Sequence, residues 1–231
     1  CLIIAFDLYW LFRVMYFVFY IIISWRRYRA AIAVPWFVKL KETQLPWKNV
    51  VHLIFLPTYK EPISVIRKTL ESLTTVQYDT RRFCIILAGE ERDKEHFLHC
   101  AKTLKEEFHD SFFDFLVTLH PSDLPDEVEG KGSNLHYSGG KVKEYIDAKK
   151  IPYNQCIVST FDIDTVVHPE YFAHLTLTFL TTPDRERASY QPVALYNNNM
   201  WESNALIRVA SFGTTFWLMT ELPRPERLFT F

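Results

Sequence analysis

Residues 50–61, VVHLIFLPTYKE, decide the fold. Val50 to Leu56 is an apolar run broken only by His52 and stopped by Pro57. A short run of this kind is a strand covered on both faces, as in a parallel sheet. The pattern then changes period. From Pro62 to Thr75 the apolar residues Ile63, Ile66, Leu70 and Leu73 fall on one helical face, and Pro62 suits a first turn. Alternation continues with a strand at Phe83–Ala88, a helix at Arg92–Phe108 and a strand at Phe112–Leu119. After a polar loop, Pro121–Ser133, come a helix at Asn134–Lys150, a strand at Cys156–Phe161 and a helix at Pro169–Leu180. A fifth strand is expected at Ser189–Leu195. Strands alternating with helices predict an α/β fold, a mostly parallel three-layer α/β/α sheet.

Ahead of this body lies a different chemistry. Residues 2–23, LIIAFDLYWLFRVMYFVFYIII, carry only Asp7 and Arg13 as charges. The stretch is long enough for a hydrocarbon core of roughly 30 Å, so residues 1–24 are expected to be a transmembrane helix. No basic region precedes it and no small-residue cleavage site follows, which argues against a signal peptide. Residues 25–48 form a basic collar that opens WRRYR, and residues 24–48 carry a net charge of +5. Arginines beside a span favour the cytoplasmic side, which predicts a membrane protein with its body, 49–231, in the cytoplasm.

The whole chain of 231 residues balances to a net charge of −1 with 48% hydrophobic and 16% aromatic residues and only 6 glycines. This composition excludes a disordered tail or a disulfide scaffold, and the missing basic excess argues against nucleic acid as partner. The four cysteines make no CxxC pair, so reduced thiols and no zinc site are expected.

Parallel sheets bind ligands past the carboxyl ends of their strands. There the sequence is polar every time. Pro57-Thr58-Tyr59-Lys60-Glu61 follows the first strand, Gly89-Glu90-Glu91-Arg92-Asp93 the second, Gly130-Lys131-Gly132-Ser133-Asn134 precedes the third helix, and Asp162-Ile163-Asp164 follows the fourth strand. Asp162 and Asp164 offer hard oxygens for Mg²⁺ or Mn²⁺, and at i and i+2 of a strand they share a face. Lys131 between glycines before a helix start suits a phosphate. Tyr59 offers a stacking face, and Thr58 and Glu61 offer hydrogen bonds to a base. Each part alone is ordinary: a capped loop, a solvated lysine, a helix-start carboxylate, a rim aromatic. Their order describes a site for a metal and a nucleoside diphosphate.

That order resembles the family 2 glycosyltransferases with a GT-A fold, in particular the membrane-anchored branch that includes cellulose and hyaluronan synthases. The resemblance runs from about Val50 to Leu195. It implies that Pro57, Thr58, Tyr59 and Glu61 match the family's PTYNE-type loop around the nucleotide base. It implies that Lys131 and Asn134 lie in its GKAGALN-type segment beside the diphosphate, and that Asp162 and Asp164 are its DxD. His168-Pro169-Glu170-Tyr171 matches the segment after DxD, and Gln191-Pro192 the start of the acceptor side. Apart from the resemblance, Trp201 is expected to anchor in a core or interface, with stacking on an acceptor sugar as the alternative. The implied activity is inverting transfer of a sugar from a nucleotide-diphosphate donor to a glycan or lipid-linked acceptor. Where many members carry an aspartate after the second strand, this chain has Glu90 and Glu91. The family's TED-like base motif and QxxRW do not occur before Phe231. The base is therefore expected beyond Phe231, Glu221 is taken as a loop residue, and the chain as cut at both ends.

Rival classes fit less well. Residues 162–167, DIDTVV, satisfy the loose motif of haloacid-dehalogenase-type phosphatases, but no lysine follows Lys150. A nucleotidyltransferase would want a glycine-rich basic loop where PTYKE stands. A non-catalytic nucleotide-binding module of a membrane assembly remains the second hypothesis, and a structural membrane-tethered domain the third. Residues 205–218 are largely apolar and helix-like, a segment suited to a membrane surface.

Overall fold

A computed structural model describes residues 2–125, 127–195 and 204–224. The chain parts into two units, residues 36–186 and residues 1–35 with 187–231.

The larger unit is built on four strands, β1 (Val51–Pro57), β2 (Phe83–Glu90), β3 (Asp114–His120) and β4 (Cys156–Thr160). All neighbours are parallel, in the order β3-β2-β1-β4. Every residue of β1 and β2 is buried, as their unbroken apolar runs require. Successive side chains point to opposite faces. Leu53, Phe55, Cys84 and Ile86 therefore pack against Val142 and Ile146 of α5 (Lys131–Lys149). Ile54, Leu56, Ile85 and Leu87 pack in a larger core. That core takes in α2 (Trp36–Glu42), α3 (Ile63–Thr74), α4 (Lys94–Glu107) and α6 (Tyr171–Thr181). Helices thus cover both faces, and each fully buried Leu, Ile or Phe contributes about 1.5–3 kcal/mol.

His52 interrupts β1 without opening it. Its ring is fully buried among Tyr78, Phe83 and Phe172, with edge contacts at 5.2, 5.5 and 5.0 Å. Nε2 lies 2.9 Å from the Thr176 hydroxyl, which donates to the Tyr78 oxygen. That direction makes Nε2 the protonated nitrogen. Burial holds the imidazole neutral, with its pKa lowered to about 3.

The smaller unit contains α1 (Leu2–Ile32) and α7 (Ala205–Glu221), which pack against each other. α1 is long and apolar enough to cross a membrane. Its 31 residues rise about 46 Å. The helix runs through Trp25–Arg29, so the first part of the collar continues it, whereas Trp36–Glu42 is α2 of the other unit. There Trp36 stacks on His174 at 3.8 Å, and the Phe37 N–H donates to the Glu170 carboxylate at 2.8 Å.

Four expectations need correction. Residues 189–195 form no strand and mostly stand exposed. Pro192 cannot donate to a ladder. β2 runs on to Glu90, whose side chain is buried. Helix α5 starts at Lys131, three residues before Asn134. Glu221 is not in a loop: it ends α7, fully buried and paired to Arg224 at 2.6 Å.

Candidate functional site

The strand order reverses between β1 and β4, since the chain builds β1-β2-β3 to one side and then returns to the other. In open parallel sheets the carboxyl ends of strands at such a switch point frame a crevice. The segment after β1 and the segment after β4 meet that condition.

After Pro57 the loop folds on Glu61. One Glu61 carboxylate oxygen accepts from the Thr58 hydroxyl at 2.6 Å and from the Tyr59 N–H. Lys60 takes a left-handed conformation, φ 65°, and its N–H donates to Asp93 at 3.0 Å. Glu61 therefore shapes the loop, and Thr58 is spent inside it; Thr58 is buried. Tyr59 is half-exposed. Two cations lie over its ring, the Arg92 guanidinium at 4.5 Å and the Lys60 ammonium at 4.9 Å.

Arg92 ties this loop to its neighbours. It pairs with Glu90 at the end of β2 and with Glu129 at 2.7 Å in the loop before α5. The bond from Glu90 raises the guanidinium pKa further. Beside it, Glu91 accepts from the Ser122 N–H at 3.1 Å, which lowers its pKa. Gly89, two residues before Glu91, is required. A Cβ there would lie 2.4 Å from the Phe97 ring, so α4 reaches β2 only over a glycine.

Helix α5 enters through Gly130, whose φ of 148° is closed to most side chains. Lys131 is its first residue and stands exposed, and its ammonium is paired with Asp162. Asn134 is buried, and its amide donates to the Ala88 carbonyl of β2 at 2.9 Å. Asn134 thus anchors the start of α5 against the sheet. One turn on, Ser138 and Thr118 share a hydrogen bond at 2.8 Å.

Asp162 and Asp164 do not lie on a strand, a correction to the shared-face argument. β4 ends at Thr160, and the Thr165 N–H closes a turn on the Asp162 carbonyl at 2.9 Å. The alternation survives in the turn: Ile163 is buried, and the aspartates on either side are exposed. Among the described residues no three or more His, Cys, Asp or Glu side chains form a metal cluster. A closed protein cage for an ion is thus not built. Two solvent-exposed carboxylates fit an ion of the Mg²⁺ or Mn²⁺ type, which commonly takes one or two protein carboxylates and completes its shell from phosphates and water.

Of the expected residues, Pro57, Thr58, Tyr59, Glu61, Glu90, Lys131, Asn134, Asp162 and Asp164 therefore all belong to the carboxyl-end side of the sheet. Gln191 is an exposed residue of the other unit, and Trp201 lies outside the described residues. Glu170, matched to the segment after DxD, is buried and holds the Phe37 amide. Arg92, Asp93 and Glu129 were not singled out from the sequence. A lone arginine within the acidic run GEERD was the available signal. Two surface hollows, of about 450 Å³ at Lys102–His109 and about 610 Å³ at Lys41–Lys48, are lined by none of these residues.

The fold and rim define only a coarse class: a parallel α/β protein with a polar, charged rim at the carboxyl ends of its strands, in a chain that also carries an apolar helix of membrane length. Compared with known proteins, the chain matches no family model and no curated protein.

Proposed function

We propose that this chain carries the donor site of a metal-dependent glycosyltransferase. It would transfer a sugar from a nucleotide-diphosphate donor to a glycan or lipid-linked acceptor at the cytoplasmic face of a membrane. The fold would be of the GT-A type. The observation that carries the reading is the pairing of Lys131 with Asp162, which joins the start of α5 to the turn after β4 at the switch point. A cation, a helix amino terminus and two exposed carboxylates would then lie along one part of the rim. That combination suits a diphosphate with its ion.

Asp162 and Asp164 would hold the divalent ion, which supplies charge neutralisation at the leaving diphosphate. Lys131 adds a second positive charge from the helix start. Tyr59 offers the base a flat face, already electron-rich enough to hold two cations. Arg92 lies over that face, so base stacking requires it to swing out or to sandwich the base against Tyr59. Glu61 and Asn134 act through the backbone. Glu61 fixes the loop that carries Tyr59, and Asn134 fixes the helix start that carries Lys131.

Isothermal titration of the full chain with UDP and with GDP, each with and without Mn²⁺, tests the reading. Saturable binding of either nucleotide that depends on Mn²⁺ is the expected result. No metal-dependent binding of either would overturn it.

A further inference from the structure

In water, a pair of packed helices buries apolar side chains and turns polar ones outward. Over residues 205–217 helix α7 does the reverse, and at its end Met219 is buried beside Thr220 and Glu221. Arg208, Ser211, Thr215 and Leu218 are its partly covered positions, spaced three, four and three apart on one stripe. Leu206, Val209, Phe212 and Phe216 are exposed, by 82, 70, 56 and 48%. Its partner α1 shares the outward apolar surface. Arg13, Tyr16, Tyr20 and Ser24 are covered wholly or in part, together with Phe17, Ile21 and Ile23, while Val14, Val18, Phe19 and Ile22 are exposed.

Polar contacts fill the inner side of this unit. The Arg224 Nε donates to the Tyr16 hydroxyl at 3.0 Å, and the guanidinium lies 4.9 Å from the Tyr16 ring centre. The same guanidinium pairs with Glu221 at 2.6 Å. Serine, threonine and hydrogen-bonding side chains at the contact, with hydrocarbon outside, are the habit of helices packed in lipid.

We infer that α7 is a second lipid-immersed helix, set beside α1 with Val209, Phe212 and Phe216 facing acyl chains. The occupant of this face is hydrocarbon, because α1 carries the same outward apolar surface over a membrane-length stretch. Arg26, Arg27 and Arg29 stand exposed near one end of that helix, where headgroups would lie. The 17 residues of α7 rise about 26 Å, so it enters the hydrocarbon layer beside a longer span. The inference rests on α1 being a membrane helix and is independent of the donor site.

The test uses the full chain in phosphatidylcholine vesicles, spin-labelled at Phe212→Cys on α7 or at Val18→Cys on α1. Collision with oxygen is compared with collision with a water-soluble nickel chelate, after subtracting the signal of the unsubstituted chain. Both labels should meet oxygen and be shielded from nickel. A Val18→Cys label in oxygen with a Phe212→Cys label in nickel would overturn the place of α7 and leave α1 in the membrane. Nickel access at both sites would overturn the membrane reading itself. A Phe212→Cys label shielded from both reagents would place a protein surface there, a second copy included, and equally overturn the inference. If Phe212→Cys does not fold, Val209→Cys on the same exposed face answers the same question.

Discussion

β1 and α7 are both largely apolar, and their surroundings are opposite. In β1 all seven residues are buried, and the one polar side chain, His52, is given a hydroxyl partner and kept neutral. In α7 most apolar side chains face out, Met219 excepted, while Glu221 at its carboxyl end is wholly buried against Arg224. One unit follows the rule for water, and the other shows the burial direction expected of helices in lipid. Apolar content alone does not tell the two apart; the direction of burial does. The same contrast explains why the rim of the sheet is reachable chemistry. Its ions are exposed, as at Lys131 and Asp162, whereas the ion pair of the helix unit is sealed.

The largest effect should come from opening the sealed pair. Arg224→Ala leaves the Glu221 carboxylate buried without that partner, which costs on the order of 3–5 kcal/mol. Limited proteolysis of the full chain in micelles should show faster cleavage within 205–224 and unchanged cleavage within 36–186. Equal protection in both proteins would remove the contrast between the units.

A second variant strains the sheet unit alone. Gly89→Ala drives a methyl into the Phe97 ring, and overpacking of this kind costs about 1–3 kcal/mol. Thermal unfolding should shift down. An unchanged midpoint would mean that α4 does not lean on the end of β2.

His52 gives the sheet unit a pH dependence. Its folded pKa, lowered to about 3, lies below the unfolded value of about 6.5. The unfolded chain therefore binds the extra proton first. This site's full stability is present above about pH 6.5 and is lost progressively as pH falls toward 3. Linkage sets the loss at about 2 kcal/mol by pH 5. Denaturation of the wild type should show that slope, and His52→Leu should lack it. Parallel pH profiles for the two proteins would contradict the neutral buried imidazole.

The smallest effect belongs to the exposed rim. Lys131→Ala should leave the unfolding free energy within about 0.5 kcal/mol, as for an exposed ion pair. It should weaken nucleotide binding by roughly tenfold, about 1.4 kcal/mol. Loss of stability without loss of binding would reverse the assignment.

Much of the sheet unit was legible because burial leaves a periodic trace. β1, β2 and β4 begin within a residue of the apolar runs that mark them, at Val51, Phe83 and Cys156. The failures lie where tertiary contacts override local preference. β2 continues through Glu90 because Arg92 supplies the partner a buried carboxylate needs. α5 starts early, through Lys131, Gly132 and Ser133, because the Asn134 amide is fastened to Ala88 on the sheet. The pairings across the rim, Arg92 with Glu129 and Lys131 with Asp162, join residues 37 and 31 positions apart. No local pattern encodes them. The inverted face of α7 was hidden as well, since a helical stripe looks the same whether its apolar side faces in or out.

The central claim is that the turn after β4 holds a divalent ion only together with a nucleoside diphosphate. Paramagnetic resonance of Mn²⁺ titrated into the full chain measures this directly, because the sharp six-line signal of the free ion fades on binding. The signal should persist with protein alone, fade when UDP or GDP is added beyond what the nucleotide removes by itself, and persist again with Asp162→Ala/Asp164→Ala. Equal loss of signal in the wild type and in that double variant would contradict the account.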